Sequence, residues 1–108
     1  MPDCGYVYIM ASSFKRLYIG VTSDLGVRVR QHKDHRYPGS FTSRYNIDQL
    51  VYFERYGMIE DVIARESQLK RWSRNKKIRL IVENNPAWED LSEEWGKRIK
   101  LYSELNPS

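Results

Sequence analysis

Cysteine is almost missing from this chain: Cys4 is the only one in 108 residues. One thiol closes no internal disulfide and builds no multi-cysteine zinc site, so neither can hold the fold together. Long apolar runs are missing too, and no membrane-spanning segment is expected. The first residues carry no basic stretch followed by an apolar one, so no secretory signal is expected either. With a lone thiol, the reducing cytoplasm is the expected compartment. Histidine is as scarce, with only His32 and His35. No repeat and no low-complexity stretch interrupts the chain, and its length suits one hydrophobic core.

What is present is positive charge. The formal net charge is +4, which favours polyanionic partners with salt-sensitive affinity. Its distribution says more than its sum. Lys70, Arg71, Arg74, Lys76, Lys77 and Arg79 crowd one stretch, whereas Glu89, Asp90, Glu93 and Glu94 make the following segment acidic.

Hydrophobic spacing predicts the elements. In Tyr6 to Met10, Val7 and Ile9 alternate with Tyr6, Tyr8 and Met10, as in a strand. Leu17 to Gly20 repeats the pattern, with Leu17 and Ile19 set against Tyr18. The short polar bridge Ala11 to Arg16 joins the two as an antiparallel hairpin. If Val7, Ile9, Leu17 and Ile19 share the packed face, Tyr8 and Tyr18 share the opposite one, which a functional role would need to be open. Ser23 or Asp24 caps a helix running to about His35, on which Arg28 and His32 point the same way, four residues apart. Tyr37-Pro38-Gly39-Ser40 ends it, and Ser40 to Asp48 reads as a loop. Gln49 to Tyr56 is a third strand, with Leu50 and Tyr52 alternating against Val51 and Phe53. A helix from about Ile59 to Ser73 places Ile59, Val62, Ile63, Glu66 and Leu69 on one face. Asn75 caps a further helix to Val82, and Asn84-Asn85-Pro86 breaks it. A tail helix is expected from Ser92 to about Leu105.

Several of these residues can carry chemistry, and each also has a plain packing explanation. Strand tyrosines commonly fill half-buried faces. On an open face, however, a phenol can exchange a proton with water if a cation lowers its pKa from the usual value of about 10. Arg28 is such a cation or simply a solvated helix arginine; its planar fork also suits a phosphate. His32 donates to phosphate, accepts a proton, or sits at the edge of the core bonded to backbone. His35, at the helix end, reads as surface. Glu66 is the anomaly, since a carboxylate on an apolar face is costly unless it is paired. It holds a hard cation such as Mg²⁺ through oxygen, or it forms a buried ion pair with Arg28 as its nearest candidate. No second acid competes for the same place, which favours one metal over two. Trp72, among the basic residues, offers a ring on which a base could stack.

The pair Tyr6-Val7-Tyr8 and Leu17-Tyr18-Ile19-Gly20 resembles the defining signature of the GIY-YIG nucleases. The resemblance continues through Thr22, Asp24-Leu25, Arg28, His32 and the Ala64-x-Glu66 pair. It extends to Phe41-Thr42, Tyr45-Asn46, Leu50-Val51-Tyr52, Lys70-x-Trp72 and Asn85-Pro86-x-Trp88-x-Asp90-Leu91. It therefore covers Gly5 to Leu91, and is nearest to the small single-domain bacterial members related to the N-terminal nuclease domain of an excinuclease. One departure stands out: the first glycine of the signature is Tyr6 here, with Gly5 one place early.

The resemblance implies an α/β (α+β) fold, a three-stranded antiparallel sheet flanked by helices, over residues 1–91. Residues 92–108 would be a helical tail packed on the domain or on a partner molecule. It further implies a metal-dependent endonuclease that hydrolyses DNA phosphodiester bonds, with repair or recombination as its setting. In that reading Glu66 holds Mg²⁺, or Mn²⁺ in its place. Tyr8, or a water it polarises, activates the attacking water, Arg28 stabilises the phosphorane, and Tyr18 and His32 orient the groups around it. Arg44, Lys70, Arg71, Trp72, Arg74, Lys76 and Lys77 would bind the nucleic acid. The competing expectation is a binding module of the same fold without turnover. Nothing in the sequence reads a base edge, so the preferred DNA structure and the choice between DNA and RNA stay open.

Overall fold

A computed structural model describes residues 4–35, 37–93 and 95. Three antiparallel strands form the centre: β1 (Gly5–Ala11), β2 (Leu17–Thr22) and β3 (Gln49–Tyr56), in the order β2-β1-β3. The hairpin between β1 and β2 turns on Ser12. Its backbone N–H donates to the Arg16 carbonyl at 3.0 Å, and its hydroxyl accepts from the Phe14 and Arg16 amides. This closure sets the register, so that Tyr8 lies opposite Gly20 and Met10 opposite Tyr18.

The helices are α1 (Leu25–Lys33), α2 (Phe41–Arg44), α3 (Ile59–Arg71) and α4 (Arg74–Asn84). Asp24 caps α1 by accepting from the Val27 amide at 3.1 Å. The helix stops at Lys33, two residues short of the expected end, because His35 turns into the left-handed region at φ 50°. The expected loop from Ser40 contains one helical turn, α2, capped by the Ser40 hydroxyl. The last helix begins earlier than expected: Ser73, not Asn75, accepts from the Lys76 amide and starts it.

Both faces of the sheet are covered, which differs from the open tyrosine face considered above. Val7, Ile9, Ala11 and Ile19 pack with Val62 and Leu69 of α3 and Ile81 of α4. Tyr8, Met10 and Leu50 pack with Leu25 and Val29 of α1 and with Ile47. A bulge opposite Ile9–Met10 breaks the simple alternation of β3. Val51 and Tyr52 therefore join the same cluster while Leu50 joins the other. An inserted residue shifts every later side chain to the opposite face, which a period of two does not anticipate.

The bulge leaves backbone groups to be satisfied, and the segment after α4 does so. The Leu50 amide donates to Asp90 Oδ1 at 3.2 Å, and the Leu50 carbonyl accepts from the Leu91 amide at 2.7 Å. Asp90 also accepts from Ser92 and pairs with Lys33 of α1. Asn85 is buried, and its amide donates to the Val51 and Glu89 carbonyls while its oxygen accepts from the Glu89 amide. Asn85→Ala strands these partners in the core. It is expected to lower stability by about 2 kcal/mol, read as a fall in the urea midpoint at unchanged slope. Leu91 and Trp95 extend the α1-side cluster; most of the expected tail helix lies outside the described residues.

Candidate active site

The register of the hairpin builds the centre of the site. Tyr8 is only 1 % exposed, although it is a polar side chain on a central strand. It fits because Gly20 faces it without a side chain. A Cβ at Gly20 would stand 2.5 Å from the Tyr8 phenol oxygen and 2.9 Å from the Tyr18 ring. Tyr18, one step along β2, sets its ring 6.3 Å from that of Tyr8.

Helix α1 brings His32 onto the pair, with its ring 5.7 Å from that of Tyr8 and 5.4 Å from that of Tyr18. Its Nε2 meets the Tyr8 phenol oxygen at 2.9 Å, and its Nδ1 meets Thr42 Oγ1 at 3.1 Å. Thr42 is buried and lies 3.4 Å from the Ser40 hydroxyl. Two tautomers satisfy this chain. With the proton on Nδ1, His32 donates to Thr42 and Nε2 accepts from Tyr8; with it on Nε2, both directions reverse.

Electrostatics separate the two groups. Burial pushes the Tyr8 phenol well above its ordinary pKa, reinforced by Tyr18 and Glu66, while Arg28 opposes the shift without overcoming it. Burial, and then the Arg28 guanidinium, hold His32 below the usual histidine value. At neutral pH the pair is therefore a neutral phenol beside a neutral imidazole. Arg28, read from the sequence as a cation that could lower a tyrosine pKa, does act on Tyr8 in that direction, but desolvation outweighs the guanidinium.

The charge of Glu66 adds to the resistance of Tyr8 to ionisation, although its helix packs on the sheet face away from Tyr8. Glu66 rides on α3, which packs against β1 and β2. Its surroundings differ from the fully apolar face expected of it. Val62 and Leu69 are buried, but Ile59 and Ile63 are exposed and Glu66 is half-buried. Only one stripe of α3 meets the sheet, and Glu66 borders it. Its ion-pair partner is not Arg28 but Lys70, whose Nζ lies 3.2 Å from one carboxylate oxygen while its own side chain stays 54 % exposed.

A cavity of about 220 Å³ opens beside these groups, lined in part by Arg28, Gln31, His32, His35, Tyr37 and Phe41. His35 thus differs from the free surface residue expected of it. It faces the cavity, and its Nδ1 lies 3.2 Å from Ser43 Oγ.

The expected nucleic-acid residues divide. Arg44 is exposed at the end of α2, near the Tyr45 ring. Arg71, Arg74, Lys76 and Lys77 lie at the end of α3 and on α4, the helices packed on the sheet face away from Tyr8. Trp72 is ill placed for stacking a base. It packs against the core, and Arg65 and Lys76 set their cations over its ring at 5.1 and 4.2 Å.

Thr42, Ser40 and Gly20 received no functional assignment from the sequence. Thr42 is part of the Phe41-Thr42 resemblance, but nothing in the sequence assigns it to His32, because that contact depends on how α2 folds back on α1. Gly20 could have been found by counting outward along the hairpin from Ser12 and Arg16.

Comparison with known proteins follows the same outline. The family description "GIY-YIG catalytic domain" matches residues 4–79. A "UPF0213 protein" of Syntrophus aciditrophicus is 35% identical over 79 residues, covering 73% of this chain and 91% of that protein. One of Haloquadratum walsbyi is 36% identical, covering 77% and 92%. The solution NMR structure of a UPF0213 protein from Bacillus halodurans shares the fold, with a TM-score of 0.53 at 24% identity over 84% of this chain and 95% of that one. The nuclease-type fold, the two tyrosine strands and the matched span agree, and this chain belongs to the GIY-YIG family.

Proposed function

We propose that the protein is a metal-dependent endonuclease that hydrolyses phosphodiester bonds in DNA. The observation that carries this reading is the hydrogen-bonded chain Tyr8–His32–Thr42, set beside Arg28 and within electrostatic reach of Glu66. Any buried phenol needs a hydrogen-bond partner, but an imidazole is a partner that can also take its proton.

Glu66 suits Mg²⁺. Its carboxylate is half-buried, and its ion-pair partner Lys70 is exposed and readily displaced. Among the described residues no three acidic, histidine or cysteine side chains cluster as ligands. A single carboxylate is the donor set that Mg²⁺ accepts when water and phosphate complete its shell. Held there, Mg²⁺ or Mn²⁺ would supply Lewis-acid charge to the phosphate.

The chain's own residues do the rest. Tyr8 takes a proton from the attacking water as it releases its own to His32 Nε2, so no free phenolate need form in the buried site. Thr42 steadies the His32 ring, and in the tautomer protonated on Nδ1 His32 donates to Thr42 and leaves Nε2 to accept from Tyr8. Arg28 offers its fork to the charge that develops on phosphate. The basic residues of α3 and α4 attract the polyanion over longer range. The test is nicking of plasmid and branched DNA in Mg²⁺, Mn²⁺ and EDTA, with Glu66→Ala and Arg28→Ala purified in parallel. Nicking by both variants at the wild-type rate would overturn the proposal.

The depressed His32 also sets a pH dependence. Protonated His32 cannot accept from Tyr8, so cleavage should fall on the acid side, with its midpoint below the ordinary histidine value of about 6.5. Stability should follow the same group. Between the folded and unfolded pKa values the unfolded chain binds more protons, so stability rises with pH through that window and is lost as pH falls through it. Urea midpoints measured between about pH 5 and 7 should show this slope, and His32→Gln should flatten it.

A further inference from the structure

The cavity beside Arg28 and His32 is shaped for something other than a phosphate. Two well-exposed aromatic rings line it, Tyr37 at 58% and Phe41 at 46% exposed. Polar side chains line it as well, among them Ser40, Thr42, Gln31 and His35. Its volume of about 220 Å³ is below the ~300–1,000 Å³ of sites that bury drug-sized ligands, so it has room for one flat ring system. Phe41 also begins a row of stacked groups. The Phe41 and Tyr45 ring centres lie 4.9 Å apart, and the Arg16 guanidinium lies 4.0 Å above Tyr45. Arg16 is itself exposed and so offers an outer face. Phe14, at the tip of the same hairpin, is almost wholly exposed.

We propose that this cavity is a nucleobase subsite. It takes the base of the nucleotide next to the scissile phosphate, unstacked from its neighbours, between Tyr37 and Phe41. The row Phe41–Tyr45–Arg16 then carries the same DNA strand away from the site. The inference rests on the DNA-cleaving reading above, and it adds where the strand lies and which side chains hold its bases.

Three features favour this occupant. Exposed aromatic rings interleaved with guanidinium groups suit a chain that alternates flat bases with anionic phosphates. Arg28 and His32 line the cavity and belong to the proposed catalytic site, so a base seated in it brings its own phosphate to them. The Gln31 amide and the His35 ring are donors and acceptors suited to the edge of a base.

The experiment separates base contacts from charge. Fluorescence anisotropy in EDTA, where no metal-dependent cleavage proceeds, compares a labelled oligothymidylate with an abasic oligomer of equal length and charge. Wild-type protein should bind the oligothymidylate about tenfold more tightly, since each stacked base contributes on that order. Phe41→Leu and Tyr37→Leu should abolish most of that difference and leave the abasic affinity unchanged. Phe53→Leu, at a comparably exposed aromatic on β3, should keep it. Equal affinity of wild-type protein for the two oligomers would overturn the subsite, as would retention of the difference by both cavity variants. Because no cleavage is read, failure here is distinct from failure of the hydrolase reading. A protein that prefers bases but never cuts DNA would sink the second and keep the first.

Discussion

Glu66→Ala is expected to leave a folded protein that binds DNA and cuts it about 10³-fold more slowly, measured as plasmid nicking in Mg²⁺. The size of the effect follows from how little else the site offers a cation. Among the described residues no cluster of acidic or histidine ligands exists to share the ion, so losing the one carboxylate removes its protein anchor. Removing a single preorganised charge-stabilising group costs about 10²–10³ in comparable sites, and loss of an ion that acts on the phosphate belongs at the upper end. The fold should hardly notice. Glu66 borders the core without entering it, and its ion pair with exposed Lys70 belongs to the class worth about 0–1 kcal/mol. Thermal melts of variant and wild type should therefore nearly coincide. DNA affinity in EDTA should hold or rise, because the change removes a negative charge from the path of a polyanion. Arg28→Ala should also slow cleavage, by about 10²-fold, and should leave the dependence on added metal intact. A Glu66→Ala protein that nicks at the wild-type rate would mean that another nuclease is in the preparation or that the site lies elsewhere.

Much of this architecture can be read from residue order, and the reasons are local. The hairpin follows from two alternating runs and a polar bridge. Its register then follows from the turn, which pairs Tyr8 with Gly20 before any long-range contact is considered. Arg28 and His32 share a face because they stand one helical turn apart. Glu66 stands out because a carboxylate interrupts an apolar stripe. What the sequence does not reveal is non-local. The bulge in β3 depends on pairing with β1, and it makes Val51 and Tyr52 neighbours on one face. The burial of Tyr8 depends on α1 lying over the sheet, and that burial decides its proton affinity. The His32–Thr42 contact joins two helices through a turn whose geometry no periodicity encodes. The Trp72 ring reads as a stacking platform among lysines until Arg65 and Lys76 are found above it. Motif residues also divide by purpose once placed. Asn85, Asp90 and Leu91 satisfy the backbone and side-chain needs of β3, whereas Thr42 holds the imidazole that meets Tyr8.

Gly20→Ala should damage cleavage about as much as loss of Arg28, for a reason that is steric and not chemical. The added methyl would lie 2.5 Å from the Tyr8 phenol oxygen and 2.6 Å from its ring carbon, well inside contact distance. Tyr8 is 1% exposed and packed among Met10, Leu25 and Val29, so it has no free volume to retreat into. Tyr18 closes the other side, 2.9 Å from the same methyl. Relief therefore requires the phenol to move off His32 Nε2, which breaks the hydrogen bond on which proton transfer depends, or β2 to shift from β1. Either route should reduce cleavage by about 10²-fold, the size of a lost general-base contact. It should also cost about 1–3 kcal/mol of stability, as overpacking of a tight core does. Gly26→Ala supplies the contrast. Gly26 is exposed in the first turn of α1, and the nearest atom to its added methyl is Asp24 Oδ1 at 3.7 Å. That change should stabilise the protein by about 0.5–1 kcal/mol through helix propensity and leave cleavage alone. The two variants add the same atom to the same chain. If Gly20→Ala cleaves like Gly26→Ala, the Tyr8–His32 contact is not the path of the proton.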